Sequence, residues 1–198
     1  MIALNKSEYA RKSIHVFSSL IPLAYMTLPI SKILMLGVLG FLILFAIGIE
    51  TIRKNTKFGQ NIFERYFNFM LRDFEVKDKL TGATWVLIGM FISILIFQKY
   101  VAVMAILFMV FGDTFAALTG KIMPIGKIGS KTLSGTMGGL LACLFIVFEM
   151  KTHIPFSNGL GGAFVAMGVE LLPISLDDNI TIPLSSGLVI TFLSGGFA

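Results

Sequence analysis

The chain has 198 residues, of which 56% are hydrophobic and 14% charged, with a formal net charge of +5. That balance excludes a water-soluble globule of this size and fits one polytopic membrane domain spanning 1–198. The basic residues sit in short connections beside apolar runs, where they set topology, so the charge calls for no nucleic-acid partner.

In chain order, seven apolar runs are expected to form transmembrane helices: Ile14 to Leu28, Ile33 to Ile49, Gly82 to Phe97, Tyr100 to Leu118, Thr136 to Met150, Asn158 to Leu172 and Ile180 to Gly195. A crossing helix needs about 20 residues, so the first, fifth and sixth must extend into their flanks. Arg11 and Lys12 ahead of the first run resemble a signal peptide. That run nevertheless contains Pro22, lacks a small-residue cleavage site and leads directly into the next span, so it is read as retained. Between the second and third runs, Phe58 to Glu75 places Phe63, Phe67, Met70, Leu71 and Phe74 on one helical face and Asn61, Arg65, Asn68 and Arg72 on the other. This is the pattern of an amphipathic helix in the interface, either roofing a lipid entrance or resting on the headgroups. The expected fold is therefore all-α, with about seven transmembrane helices and one interfacial helix. The single cysteine, Cys143, lies in an apolar run, so no internal disulfide forms and no thiol or metal site is indicated.

Basic residues gather on one side. Lys6, Arg11 and Lys12 precede the first span; Arg53, Lys54, Lys57, Arg65, Arg72, Lys77 and Lys79 follow the second; Lys121, Lys127 and Lys131 follow the fourth. The other side holds only Lys32, Lys99 and Lys151, which places the N-terminus in the cytoplasm and the C-terminus outside. His15, Glu50, Arg53, Asp113, Lys131, Glu170, Asp177, Asp178 and Asn179 then share the cytoplasmic surface.

Four polar clusters carry candidate chemistry. Arg11 and His15 are four apart and share a face at the start of the first span, with Lys12 beside them. Arg11 and Lys12 also suit a simple topology anchor. Glu50 and Arg53 are three apart where the second span ends, a spacing equally consistent with a surface ion pair. The third cluster runs from Gly112 to Gly139, GDTFAALTGKIMPIGKIGSKTLSGTMGG. Asp113 stands in an apolar setting, where an acid is expensive unless it is paired or holds a cation. Gly120, Gly126, Gly129 and Gly135 let backbone N–H groups approach phosphate oxygens, and Lys121, Lys127 and Lys131 neutralise them. The loop is not a Walker A motif, since GxxxxGK[ST] is absent. The fourth cluster, ELLPISLDDNITIP from Glu170 to Pro183, supplies hard oxygen ligands of the kind Mg²⁺ prefers, although Asp and Asn here also suit a helix cap.

Taken together, RKxxH at Arg11 to His15, ExxR at Glu50 to Arg53, GDxxA at Gly112 to Ala116, KTLSG at Lys131 to Gly135 and DNITIP at Asp178 to Pro183 resemble the CTP-dependent lipid kinase family. That family includes dolichol kinase, phytol and farnesol kinases and the CTP-dependent diacylglycerol kinase, and the motifs span nearly the whole chain in order. The resemblance implies transfer of the γ-phosphoryl group of CTP, with Mg²⁺ or a similar divalent cation, to the hydroxyl of a membrane lipid alcohol. The alcohol is a polyprenol or dolichol, a phytol-like isoprenoid, or diacylglycerol. The candidate catalytic residues are Asp113, Lys131 and His15. The candidate phosphate-binding set is Gly112, Gly120, Lys121, Gly126, Lys127, Gly129, Thr132, Ser134, Gly135, Arg11, Lys12 and Arg53. The candidate metal set is Asp113, Asp177, Asp178, Asn179, Glu170 and Glu50. One position departs from the family pattern: Ser134 stands where a glutamate is frequent, so no catalytic role is expected there. A cytidylyltransferase making CDP-diacylglycerol needs similar groups. A small transporter would instead carry its charges at the midplane, with symmetry between halves.

Overall fold

The computed structural model describes residues 6–57, 80–173 and 176–196, and for 6–11 the backbone alone. The expected interfacial helix at 58–75 lies outside the described residues. Those described form an all-α bundle with one short hairpin.

The first expected span is two helices rather than one. α1 (Lys6–Phe17) stops and α2 (Leu20–Thr27) starts across Ser18 and Ser19, where the Ser18 hydroxyl donates to the His15 carbonyl at 2.5 Å. A hydroxyl that competes for backbone acceptors offers the chain a way out of the helix. α3 (Lys32–Asn55) begins at Ser31, whose side chain accepts from the Leu34 N–H at 3.2 Å. α4 covers Gly82–Ile96. α5 (Lys99–Leu107) runs without a break through a π turn at Phe108–Gly112 into α6 (Asp113–Ile122). A two-stranded antiparallel hairpin follows, β1 (Lys127–Ile128) against β2 (Lys131–Thr132), with Ile128 opposite Lys131. α7 is Leu133–Glu149, α8 Phe156–Leu171 and α9 Asp178–Leu193.

Two of these segments, Lys32–Asn55 and Lys99–Ile122, are long and apolar enough to cross a membrane; Gly82–Ile96, Leu133–Glu149 and Asp178–Leu193 are apolar but shorter. The expectation of about seven crossings is thus met in length by two described helices. Every residue from Val101 to Val110 is buried, so the α5 segment and its π turn form the axis of the bundle. Leu39, Met90, Ile94, Met167, Ile182 and Ile190 pack in the surrounding core. Large apolar side chains also point outward, among them Ile33 at 84% exposure, Leu44 at 73% and Phe192 at 80%. Scattered apolar exposure is ordinary, but this much along whole helix faces is what a lipid-covered surface presents.

Glycines set how closely the helices approach. A Cβ on Gly139 would meet the Gly112 carbonyl oxygen at 2.7 Å, and one on Gly135 would meet the Ala116 carbonyl oxygen at 2.6 Å. Gly112, Ala116 and Gly120 therefore face Gly135, Gly139 and Cys143, and α6 lies directly on α7. In α9, Pro183 has no N–H to give to the Asn179 carbonyl four residues earlier, and that carbonyl abuts Gly89 of α4 in the space a Cβ would fill.

Candidate functional site

Because the helices alternate in direction, one end of the bundle gathers residues 12–15, 50–57, 80–84, 113–136, 170–173 and 176–179. On that end Asp113 is the first residue after the π turn, and α1 lays two basic side chains against it. Lys12 Nζ donates to Asp113 Oδ2 at 2.6 Å and to the Asp113 carbonyl at 3.4 Å. His15 Nε2 lies 3.9 Å from the same Oδ2 and 3.5 Å from the Met109 carbonyl in the π turn. Asp113 therefore has the paired cation that its apolar setting demands.

The hairpin positions the second centre. Gly126 and Gly129 adopt φ of +67° and +60°, a region that favours glycine, and the chain reverses so that Lys131 points inward from β2. Its Nζ donates to Asp178 Oδ2 at 2.9 Å, lies 3.5 Å from Glu170 Oε1 and also donates to the Glu170 carbonyl. Thr136, one turn into α7, donates to the other Glu170 carboxylate oxygen at 3.1 Å. Burial works against the Lys131 charge, yet Asp178, Glu170 and Asp113 together hold the ammonium above its ordinary value. Asp113 and Lys131 feel each other's charge, as do His15 and Asp177, so the two centres form one electrostatic unit.

Other candidates have different placements. Asp177 caps α9: its Oδ1 accepts from the Asn179 N–H at 3.0 Å and the Asn179 side-chain amide at 2.7 Å. Glu50 is buried and holds the start of α4, Oε1 accepting from the Thr81 N–H at 3.0 Å, the Thr81 hydroxyl at 2.7 Å and the Thr84 hydroxyl at 2.6 Å. Arg53, beside it, is buried too, so the pair is no surface ion pair. Thr132 caps α7 by accepting from the Gly135 N–H at 3.1 Å, and Ser134 binds the Met123 and Ile125 carbonyls. Gly120 packs under Thr132, while Gly126, Lys127 and Gly129 are exposed on the hairpin and Lys121 is half-buried. The Arg11 side chain lies outside the description.

Among the described residues, no three His, Cys, Asp or Glu side chains converge as a self-sufficient metal site. The donors that do converge, Glu170 and Asp178, surround one point already holding a cation, the Lys131 ammonium. Two carboxylates with nucleotide phosphates are a normal Mg²⁺ ligand set, so these residues fit the ion's chemistry with a substrate present. No residue pattern marked Thr136 as a Glu170 partner, Thr81 and Thr84 as donors to Glu50, or the π turn.

Comparison with known proteins places two relatives beside this geometry. The chain is 28% identical over 165 residues to CTP-dependent diacylglycerol kinase 1 of Schizosaccharomyces pombe, covering 71% of this chain and 72% of that protein. It is 24% identical over 187 residues to an uncharacterized protein of Rickettsia prowazekii, covering 90% of each. No family model matches the chain. No solved structure matches it either. The chain is thus distantly similar to a CTP-dependent lipid kinase.

Proposed function

We propose that this chain is a membrane-embedded kinase that moves the γ-phosphoryl group of CTP to the hydroxyl of a membrane lipid alcohol. The observation that carries this reading is the pairing of Lys12 with Asp113 beside Lys131 with Glu170 and Asp178, at one end of an apolar bundle. The distant similarity to a CTP-dependent diacylglycerol kinase supports both the donor and the lipid acceptor. Phosphoryl transfer asks mostly for positioning and charge neutralisation, which two lysines among three acids supply.

In this mechanism Asp113 takes the proton of the lipid hydroxyl, the hydroxyl oxygen bonds the γ-phosphorus, and the bond to the β-phosphate oxygen breaks. The products are a lipid phosphate and CDP. Lys12 and Lys131 turn to the phosphates, and His15 steadies Asp113 or the incoming headgroup. Glu170 and Asp178, with Asp113 near, would hold Mg²⁺, which when bound neutralises the triphosphate. Lys127 on the exposed hairpin meets the nucleotide as it arrives. The acceptor is diacylglycerol or a long isoprenoid alcohol such as a polyprenol, dolichol or phytol-like chain, its tail in the bilayer and its hydroxyl at the charged end. Seven crossings, with N-terminus and site in the cytoplasm and C-terminus outside, complete the reading.

The test is incubation of detergent-purified protein with Mg²⁺, γ-labelled CTP and, separately, diacylglycerol, geranylgeraniol, a longer polyprenol and phosphatidate. Label in a lipid alcohol with CDP released is the expected result. Pyrophosphate release with phosphatidate alone would make the protein a cytidylyltransferase, and no turnover with any pair would overturn both.

A further inference from the structure

Resting on that kinase reading, we propose that Lys131 is a resident counter-ion: it occupies the divalent-cation position between Glu170 and Asp178 until nucleotide phosphates draw it away. Glu170 ends α8 and Asp178 begins α9, so the fold forces two carboxylates toward one point, where they repel unless a cation lies between them. The Lys131 ammonium touches both carboxylates and the Glu170 carbonyl. Thr136 fixes the remaining Glu170 oxygen, leaving Oε1 turned to the ammonium.

This donor set of two carboxylates and a carbonyl is all hard oxygen, the kind a divalent cation takes as readily as an ammonium does. A metal and an ammonium cannot share the point, because like charges that close repel strongly in a half-buried site. A free metal ion must therefore evict Lys131 and leave its charge without a partner. A metal arriving with a nucleotide brings the acceptor that Lys131 needs, since lysine is a mobile point charge suited to phosphate. Its short hairpin strand, closed by Gly129 at positive φ, sets Lys131 at the edge of the site and not within a packed helix. Lys12 stands to Asp113 as Lys131 stands to this pair. The ion and nucleotide then enter together, and the carboxylates stay neutralised between turnovers.

The test needs no turnover. Mn²⁺ is titrated into the full-length protein in detergent without nucleotide, and free ion is followed by electron paramagnetic resonance. Wild type should bind weakly; Lys131→Met should bind about tenfold tighter or more, since a unit charge a few ångströms away is removed. Adding Asp178→Asn to Lys131→Met should abolish the gain. Lys131→Gln, which keeps a donor but no charge, should behave like Lys131→Met and serves in its place if that variant elutes as aggregate. Wild type binding as tightly as both lysine variants would overturn the proposal, as would a gain that persists with Asp178→Asn. Failure of the kinase reading is seen separately: a Mn²⁺ gain without CTP turnover refutes the kinase alone, and turnover without the gain refutes the exchange alone.

Discussion

Asp113 and Glu50 are both acids at the same end of the bundle, and their surroundings differ. Asp113 faces cations that a phosphate can compete for, whereas Glu50 is enclosed by the N–H and hydroxyls that start α4. Asp113→Asn should lower turnover by about 10²–10⁴-fold, the range for removing a positioned proton acceptor, with thermal unfolding little changed. Glu50→Ala should do the reverse in kind, lowering stability by about 1–3 kcal/mol through stranded buried donors, measured by unfolding in detergent. Lys131 adds a pH signature. Its raised value means that its contribution to stability is complete below the ordinary lysine value of 10.5 and is lost as pH rises through the higher folded value. Wild type should therefore lose stability above about pH 10.5 more steeply than Lys131→Met, in unfolding measured across alkaline buffers. The acids and lysines of the site could be picked out from their apolar context alone. Their partners could not, because Lys12 and Asp113 are 101 residues apart and only folding pairs them. Asp177 and Asn179 suit either ligands or a cap by residue type, and in the structure Asp177 Oδ1 caps α9.

At the scale of elements, the π turn at Phe108–Gly112 ends directly before Asp113. Gly89→Ala tests the site from α4, a helix with no charged side chain of its own: its Cβ would collide with the Asn179 carbonyl, shift the start of α9 and carry Asp178 with it. The runs beginning at Ile33, Gly82, Tyr100, Thr136, Asn158 and Ile180 each start within a few residues of the start of a described helix, since apolar length is what hydropathy registers. It does not register a break made by serine hydroxyls, hence the division of the first run at Ser18 and Ser19. Nor does a π turn leave any compositional mark, because Phe108 to Gly112 are as apolar as their neighbours.

At the scale of the molecule, the charged end and the apolar flanks suit the proposed orientation in a bilayer, which thiol labelling can test. Cys143 is fully buried, so the natural chain offers little background to a thiol reagent. Ser130→Cys on the hairpin and Thr152→Cys at the opposite end are exposed positions. In right-side-out vesicles a membrane-impermeant maleimide should label Thr152→Cys at once, and Ser130→Cys only after permeabilisation. The reverse pattern would invert the proposed topology. At that opposite end, Lys32 at the start of α3 donates to the Phe97 carbonyl that ends α4, and Lys99 at the start of α5 donates to the Leu28 carbonyl that ends α2. Each lysine closes the end of another helix. The links between these helices are only a few residues long, so biogenesis on the proposed topology would have little polar chain to translocate between them. Adjacent helices can enter as hairpins, and the two lysines that must travel with them arrive beside carbonyls that satisfy them.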